Sequence, residues 1–460
     1  MMSLEEENHR LRAENAELRQ QVADLQEALG QLEGEVSEAR EEIEKAKKKP
    51  PSWVKANKPK KEGPTQPRRK RAASANKARR REKPTRVVEH RLERCPECNY
   101  PLSRRKVSHV HQVVDIPPPA AVEVTEHQAI AGWCPHCGRW HAPRLDLGED
   151  VLGQGRLGVR VTSLIVHLRT AMRQPFRPIQ DFLEKHYQLH VGLGELVELL
   201  HRVREVGQAQ VDALREAAQA SPVMNVDETG WREDGRNGFV WTVSVPGPRG
   251  IRYFVHERSR GHLVVKGLAG GKFKGVLCSD FLGSYNTYAG PHQRCWAHLL
   301  RLLHKLKENH PDDQEVHAWA RAVQVLYEEG QATAKATSPP SGEQRLACYE
   351  GLMEQMVALG QRHALTKKHP CQALAKLLLR HQDELFQFVL FAQVSADNNL
   401  AERSLRPLVI ARKISGGTRS PAGTATRMAL ATLVGTWTAR GLNPFTECLS
   451  LLRQSSLPQV

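Results

Sequence analysis

The sequence lacks the hydrophobic segments that membrane insertion or secretion requires. No stretch reaches the roughly 18 consecutive apolar residues typical of a membrane-spanning helix. The first 30 residues are charged throughout and have no apolar core of the kind found in secretory signals. Apolar residues make up 40% and charged residues 26% of the 460-residue chain, as in soluble globular proteins. We therefore expect a cytoplasmic protein of two to four domains without a membrane partner.

The even set of cysteines that a disulfide framework uses is also missing, because the chain has nine. Four of them form two C-x2-C pairs, Cys95 with Cys98 and Cys134 with Cys137, separated by 35 residues. Two such knuckles suit one structural Zn²⁺ held by four thiolates, although His136 and His141 are possible substitute ligands. We predict a zinc ribbon over 95–150, with short strands over 106–116 and 120–133.

Acidic residues are scarce between 45 and 94, where 20 Lys or Arg accompany four Glu. The resulting charge of +16 equals the formal net charge of the whole chain. A segment so poor in apolar residues is expected to stay disordered until it meets its partner. Its concentrated positive charge favours a polyanion, most simply nucleic acid, although a solubilising linker is the alternative.

The N-terminal segment, 1–44, has a seven-residue leucine repeat at positions 4, 11, 18, 25 and 32. Asn8 and Asn15 fall at the a positions of the same heptads, where paired asparagines favour a parallel, in-register dimer. We expect a coiled coil that forms a homodimer or a higher assembly; a solitary surface helix is the alternative.

Amphipathic segments follow the predicted ribbon, at 156–173, 177–189 and 192–206. The short Gly-containing break before the last one fits a helix-turn-helix, so we predict a helical DNA-binding region over 151–215. Plain helical packing is an equal alternative.

The remaining chain has the pattern of a multidomain α/β protein. Strand-like segments at 221–231, 237–247 and 251–259 precede a short helix at 261–270 and a fourth strand at 273–281. Helices follow to about 392, and a helical pair covers 397–413 and 422–439. This order is typical of a ribonuclease-H-like core, which we assign to 216–303 and 393–450.

Three acids in this core suit phosphoryl transfer. Asp227 ends the first strand and Asp280 the fourth, and in a fold of this order those strands are neighbours. Glu402 lies on a helix whose apolar stripe would hold it on the sheet. Carboxylate oxygens bind two Mg²⁺ ions about 3.5–4 Å apart, which activate a water or 3′-hydroxyl and stabilise the leaving oxygen. The apolar stripe consists of Ala401, Leu405, Leu408 and Val409.

Each acid also has an ordinary explanation. Glu402 with Arg406 forms an i, i+4 surface pair worth about 0.2–0.5 kcal/mol. Asp227 with Glu228 could belong to a solvated turn, and Asp280 could cap a helix. If the three acids instead catalyse phosphoryl transfer, the cations that follow Glu402 are expected to bind DNA phosphates beside the metals. These cations are Arg403, Arg406, Arg412 and Lys413.

Several blocks in order resemble a bacterial DDE transposase of the insertion-sequence sixty-six family. The last of them is the most specific, and together they span roughly 95–450. They are the cysteine knuckles of 95–137, DETGW at 227–231, SDFLGSY at 279–285, CWAHLLR at 295–301 and NNLAERSLRPLVIARKISGG at 398–417.

The resemblance implies metal-binding, catalytic roles for Asp227, Asp280 and Glu402. It also implies roles for His298 and Arg301 near the active site, within the DNA-binding set, and for Arg403 and Lys413 near DNA. The stretch 304–392 corresponds to a helical insertion domain. Leu300 departs from the family, which usually has a second arginine there, so one phosphate contact is in doubt.

Cys295 and His298 form half of a possible zinc site, but no second half stands nearby in the sequence. A buried histidine that orients a neighbour is the favoured interpretation of His298.

The favoured functional hypothesis is a Mg²⁺-dependent, nucleoid-associated transposase that cleaves insertion-sequence ends and joins them to target DNA. One alternative is a zinc-containing DNA-binding regulator whose nuclease-like fold is not catalytic. Another is a junction- or hybrid-specific nuclease that uses the same carboxylates.

Overall fold

The computed structural model describes residues 82–454, apart from 117, 146, 148, 149 and 154. The predicted coiled coil at 1–44 and the basic segment up to residue 81 lie outside the described residues. The chain divides into two compact units, Met1–Asp115 and Ile116–Val460. None of the helices in the described ranges combines the length and apolarity needed to span a bilayer.

In the described part of the first unit, a tight turn carries the first cysteine pair. The Asn99 N–H donates to the Cys95 carbonyl and the Cys95 N–H to the Tyr100 carbonyl, both at 2.9 Å. Asn99 has φ 60°, a left-handed conformation that asparagine tolerates well. The backbone therefore turns sharply after Cys98, as a metal knuckle requires.

The second cysteine pair lies on a hairpin of the second unit, formed by β1 (Gly132–Cys134) and β2 (Arg139–His141). The strands predicted over 106–116 and 120–133 are otherwise wrong, since only Gly132–Cys134 is a strand among their described residues. The valines that suggested strands are exposed, Val113 by 82% and Val124 by 87%. Alternating valines stabilise a strand only where a second surface buries one face.

Helices occupy the stretch predicted to be helical. They are α1 (Val159–Val166), extended by a π turn over His167–Ala171, α2 (Phe176–Tyr187) and α3 (Leu193–Gln219). The third helix runs well beyond the predicted end at 206, because buried Val211, Leu214 and Ala218 continue its apolar stripe. These helices share one hydrophobic core with the sheet that follows. DNA binding by this region stays a prediction.

A five-stranded mixed sheet forms the centre of the second unit, in the order β5-β4-β3-β6-β7. The first three strands are an antiparallel meander, whereas β6 pairs in parallel with β3 and β7 in parallel with β6. Asp234 and Gly235 both have positive φ, which suits the tight β3–β4 turn. The strands are β3 (Val223–Glu233), β4 (Arg236–Val245), β5 (Ile251–Glu257), β6 (Val276–Ser279) and β7 (His292–Arg294), with α4 (His262–Ala269) between β5 and β6.

A helical segment separates β7 from the last helices. Its core includes Trp296, Trp319 and Phe386, and it continues onto Val276 and Cys278 of β6. The segment is thus packed against the β6 side of the sheet. Its helices are α5 (Trp296–Asn309), α6 (Gln314–Ala334), α7 (Gly342–Ala364), α8 (Gln372–Arg380) and α9 (Gln387–Leu390).

The chain then returns to the sheet with α10 (Asn399–Ser415), α11 (Pro421–Ala439) and α12 (Pro444–Arg453). Adjacent residues of β4 point to opposite faces, so Trp241 joins the core shared with α3 while Val240 packs with Leu405 and Leu408 of α10. The sheet is therefore covered on both faces, and α10 lies across β3 and β4.

Candidate active site

Two acids lie side by side where β6 ends. Asp280 directly follows β6, whereas Asp227, which was expected to end its strand, lies inside β3, because that strand continues to Glu233 in its pairing with β4. The parallel register pairs Asn225 with Cys278, so two residues further along both strands the chain reaches the two acids. Both are half-buried, and Asp280 Oδ1 accepts the Leu282 N–H at 2.9 Å. The fold thus brings together acids that are far apart in sequence.

Asn398 attaches the start of α10 to β3. Its buried amide donates from Nδ2 to the Val226 carbonyl at 2.8 Å, and its Oδ1 accepts from Asn225 Nδ2 at 3.1 Å. Its backbone N–H donates to Cys295 Sγ at 3.2 Å. Glu402 follows one helical turn later, on the side of α10 that this anchor directs towards β3. Sequence reasoning missed Asn225, although a polar residue two before Asp227 on an apolar strand was an available signal.

The predicted apolar stripe of α10 is confirmed. Ala401, Leu405 and Leu408 are at most 3% exposed, and half-buried Val409 packs against the same core. A polar contact adds to it, because Ser244 Oγ on β4 donates to Ser404 Oγ at 2.9 Å. Glu402 is therefore carried by a helix fixed along its length.

Negative charge accumulates around Asp227. Burial and the charge of Glu228, with smaller contributions from Asp280 and Glu402, raise the pKa of Asp227 to about 7. Glu228 itself is paired: its Oε1 accepts hydrogen bonds of 2.6 and 2.9 Å from Arg260, and Oε2 accepts one from the Tyr285 hydroxyl. The charged groups that act on Asp227 are all acidic, which a bound cation would offset.

The donor set suits hard divalent cations. The three acids are not among the groups of described residues whose potential ligand atoms all lie within 4.8 Å of one another. A single compact cage is therefore a poor fit. Two ions about 3.5–4 Å apart, each about 2.1 Å from its oxygens, allow ligands on opposite sides to be further apart. Carboxylates inside β3, just after β6 and on α10 match that wider arrangement.

His298 and Arg301 lie beside Glu402. The distance from Glu402 Oε1 is 3.8 Å to His298 Nδ1, which has no hydrogen-bond partner among the described residues, and 3.5 Å to Arg301 Nη2. Contrary to the expectation that no further ligand stands near Cys295 and His298, Glu402 completes a three-ligand group with them. The sulfur of Cys295, however, already accepts the Asn398 N–H at 3.2 Å, which fixes the start of α10. We therefore interpret Cys295 as a structural residue.

The cations of α10 have different surroundings. Arg403, Arg406 and Lys413 are exposed. Arg412 is half-buried and donates to Thr229 Oγ1 at 3.1 Å and to the Gly230 carbonyl. Arg412 thus ties α10 to β3, and its contact with DNA stays a prediction.

Arg294 fixes the Asp280 loop from the opposite side. Its buried guanidinium donates to the Asp280 carbonyl at 2.8 Å, to Asn286 Oδ1 at 2.6 Å and to the Glu384 carboxylate. Burial alone would raise the pKa of Glu384, but hydrogen bonds from His381 and Arg294 lower it to about 2. Sequence reasoning missed both residues, since β7 is a short polar strand and Glu384 lies 90 positions away.

The cysteine turns have the chemistry of metal knuckles. Backbone N–H groups of Cys98 and Glu97 lower the pKa of the Cys95 thiol, and those of Cys137 and His136 do the same for Cys134. Both turns therefore favour thiolates, which are the form that binds Zn²⁺.

His141 joins the second turn, where its ring lies with the sulfurs of Cys134 and Cys137 in a group whose ligand atoms all fall within 4.8 Å of one another. The second turn thus offers a histidine beside its two thiolates.

Comparison with known proteins places these features in a family. Residues 154–426, more than half of the chain, match the transposase IS66 family. Residues 92–138, with all four knuckle cysteines, match the zinc-finger binding domain of transposase IS66. The chain is also similar to the uncharacterized protein y4jO of Sinorhizobium fredii, with 29% identity over 169 residues. That similarity covers 36% of this chain and 49%, about half, of the relative.

Proposed function

Because the chain belongs to the IS66 family of transposases, we propose that it cleaves the ends of an insertion sequence and joins them to target DNA. The observation that carries the proposal is the parallel β3–β6 register, which brings Asp227 and Asp280 to matching positions where β6 ends, with Glu402 on the helix that Asn398 anchors to β3. The antiparallel meander followed by two parallel strands supports a ribonuclease-H-like core, with α5–α9 as the helical insertion.

We propose that Asp227, Asp280 and Glu402 are the catalytic ligands of two Mg²⁺ ions. When bound, such ions activate a water or 3′-hydroxyl and stabilise the leaving oxygen. The protein's own contribution is to hold the ligands rigidly. Asn398 positions Glu402 through the side chain of Asn225 and the carbonyl of Val226, and Arg294 holds the backbone of Asp280.

DNA would reach these acids along the basic face of α10. Exposed Arg403 and Arg406 can bind phosphates regardless of sequence, and His298 and Arg301 lie next to Glu402. Arg403 also lines a cavity of about 340 Å³ together with Arg173, Arg252 and Arg427, and none of the residues that line this cavity belongs to the acidic site. We include Arg412 and Lys413 in the proposed DNA-binding set.

The other predicted regions would serve assembly and recognition. In this proposal, the coiled coil at 1–44 joins two or more subunits, and the basic segment at 45–94 binds DNA without sequence preference. The zinc ribbon, with Cys95, Cys98, Cys134 and Cys137 as ligands, and the helices of 151–215 bind the terminal repeats. Zinc binding itself is supported by the zinc-finger match and by the close grouping of Cys134, Cys137 and His141.

The test is a reaction of the purified chain with DNA carrying the element ends, scored separately for nicking and joining. Asp227→Asn should lower both by at least about 1000-fold, because losing a metal ligand removes several kcal/mol of transition-state stabilisation. The matched control is Asp397→Asn, since Asp397 accepts the Asn399 N–H at 3.0 Å and lies outside the proposed ligand set. Full joining by Asp227→Asn would contradict the proposal, and hydrolysis without joining would favour a nuclease.

A further inference from the structure

A second cluster of metal-ligating side chains lies in the helical insertion. His363, His369 and Cys371 each offer one ligand atom, and these atoms lie within 4.8 Å of one another. Glu315 adds a carboxylate, with Oε1 3.8 Å from His363 Nε2 and Oε2 3.7 Å from His369 Nε2. The cluster is made entirely of residues to which the proposed transposition chemistry gives no role.

The local fold explains why four residues meet there. His363 is in the last turn of α7, and a short loop with Lys368 at φ 63° brings the chain back to Cys371, the residue before α8. Glu315 is in the first turn of α6. One group of side chains therefore connects three helices.

One ring nitrogen of His363 lacks the hydrogen bond expected of a buried imidazole. It is 3% exposed, and its Nε2 has no hydrogen-bond partner among the described residues. Buried polar atoms nearly always find a partner, so this one needs an explanation. Packing against Trp319, whose ring meets the histidine edge-on at 5.9 Å, explains the burial of His363 but not the unpaired nitrogen.

The spacing suits an ion better than direct hydrogen bonds. The nitrogen-to-oxygen distances of 3.7 and 3.8 Å are too long for hydrogen bonds. Ligand atoms around tetrahedral Zn²⁺ are about 3.3–3.7 Å apart, because each lies about 2.0–2.3 Å from the metal. The two imidazoles stack at 4.1 Å with planes 10° apart, so one ring must turn for both nitrogens to converge. His369, with a side chain 16% exposed, has more room to turn than His363, and turning releases its Nδ1 from the Cys371 N–H that it accepts at 3.2 Å.

The donor atoms of the cluster indicate which cation it would bind. Nitrogen and sulfur donors favour Zn²⁺ over Mg²⁺, whose preferred ligands are oxygens. Fully buried Cys371 and the carboxylate of Glu315 would supply the negative charge, and Glu315 is half-exposed, which gives the ion a route from solvent.

We propose that His363, His369, Cys371 and Glu315 bind a second Zn²⁺, which is structural and ties α6, α7 and the start of α8 together. Four protein ligands leave no open position, as is typical of structural zinc sites. This ion is separate from the zinc of the ribbon and from the Mg²⁺ ions proposed for the acids. Its presence does not depend on whether the protein transposes DNA.

The test counts zinc in the full-length chain, expressed with zinc and dialysed to remove loosely bound metal. Elemental analysis should give two zinc ions per wild-type chain and one in the ribbon variant Cys134→Ser/Cys137→Ser. Adding Cys371→Ser to the ribbon variant should remove the remaining ion. Adding Cys348→Ser, a cysteine of the same insertion that contacts Thr333, should leave it in place. A ribbon variant without zinc, or one whose zinc survives Cys371→Ser, would overturn the proposal.

A second measurement does not depend on how the Cys371 variant folds. The ribbon variant loaded with Co²⁺ in place of Zn²⁺ should show the intense visible bands of tetrahedral cobalt and one thiolate-to-metal charge-transfer band. Weak bands typical of octahedral cobalt, without charge transfer, would show that the cluster does not bind metal through Cys371. Circular dichroism of the same sample establishes that the helical insertion is folded.

Discussion

Asp227 and Glu384 are two carboxyl groups on either side of β6, and their surroundings move their pKa values in opposite directions. Burial and neighbouring acids raise the pKa of Asp227 to about 7. Glu384 is also partly buried, but His381 and Arg294 bind its oxygens and bring its pKa to about 2. The difference comes from the sign of the neighbouring charge rather than from depth.

The two surroundings distinguish a structural ion pair from the proposed catalytic site. Arg294 and Glu384 neutralise each other, and their hydrogen bonds connect the helical insertion to the Asp280 loop. Asp227 faces like charges that destabilise the folded protein unless a cation is present. Unfavourable charge of this kind is common at catalytic sites, because the ligand that relieves it is part of the reaction.

The largest expected effect is on the metal-free protein. Asp227 has a raised pKa, so its ionisation destabilises the fold as pH rises from about 4 through about 7. Without divalent metal, Asp227→Asn should be more stable than wild type at pH 8 by up to about 4 kcal/mol, and the difference should vanish near pH 4. Urea unfolding in chelator measures this directly. If Asp227→Asn is no more stable than wild type at pH 8, the negative charge around Asp227 is already balanced by other groups.

Glu384→Gln should have the opposite effect. It leaves the buried Arg294 without its counter-charge, so the free energy of unfolding at pH 7 should fall by about 3 kcal/mol. The lowered pKa of Glu384 means that its contribution is complete above about pH 4.5 and is lost as pH falls towards 2. The difference in free energy of unfolding between Glu384→Gln and wild type should therefore shrink as pH falls from about 4.5 towards 2.

An exposed pair provides the control for this prediction. Glu328 accepts a 2.8 Å contact from Arg321 at the surface, where solvent screens the pair, so Glu328→Gln should leave the free energy of unfolding almost unchanged. If Glu384→Gln and Glu328→Gln lose the same free energy of unfolding, Glu384 is no different from a surface ion pair.

Asn398→Ala should have a smaller effect on stability and a selective effect on activity. It leaves the Asn225 amide and the Val226 carbonyl without their partner, which costs about 2 kcal/mol. Strand joining should fall further than this loss of stability explains, because Glu402 loses its anchor. Asn399→Ala, at the next and only half-buried position, is the control. Both variants are measured for the free energy of unfolding and for the rate of strand joining. If joining falls only in proportion to the loss of stability, Asn398 has a purely structural role.

Long periodic elements could be predicted from the sequence. The four strands that contribute to the meander and β6, the helices of 156–206 and the stripe of α10 all follow from regular apolar spacing. The extension of α3 was missed because apolar residues continue past the predicted end. Strand β7 and the Arg294–Glu384 pair could not be found, since three polar residues carry no periodic signal and the pair depends on a distant contact.

The surroundings of single side chains were the least predictable feature. Arg412 belongs to a row of cations that suggests phosphate binding, but the fold directs its guanidinium to Thr229 and Gly230. The valines of 106–116 and 120–133 suggested strands, but most of them are exposed within the part of the chain that the structure describes. Both cases depend on neighbours from other parts of the chain, which local patterns do not specify.

The central claim is that Asp227 inside β3, Asp280 at the end of β6 and Glu402 on α10 bind divalent cations together. The most direct measurement is the anomalous difference density of crystals of the chain soaked in Mn²⁺. We predict peaks between Asp227, Asp280 and Glu402, and none there in crystals of Asp227→Asn. Wild-type crystals with no peak at these carboxylates, or with a peak only beside Cys295 and His298, would contradict the account.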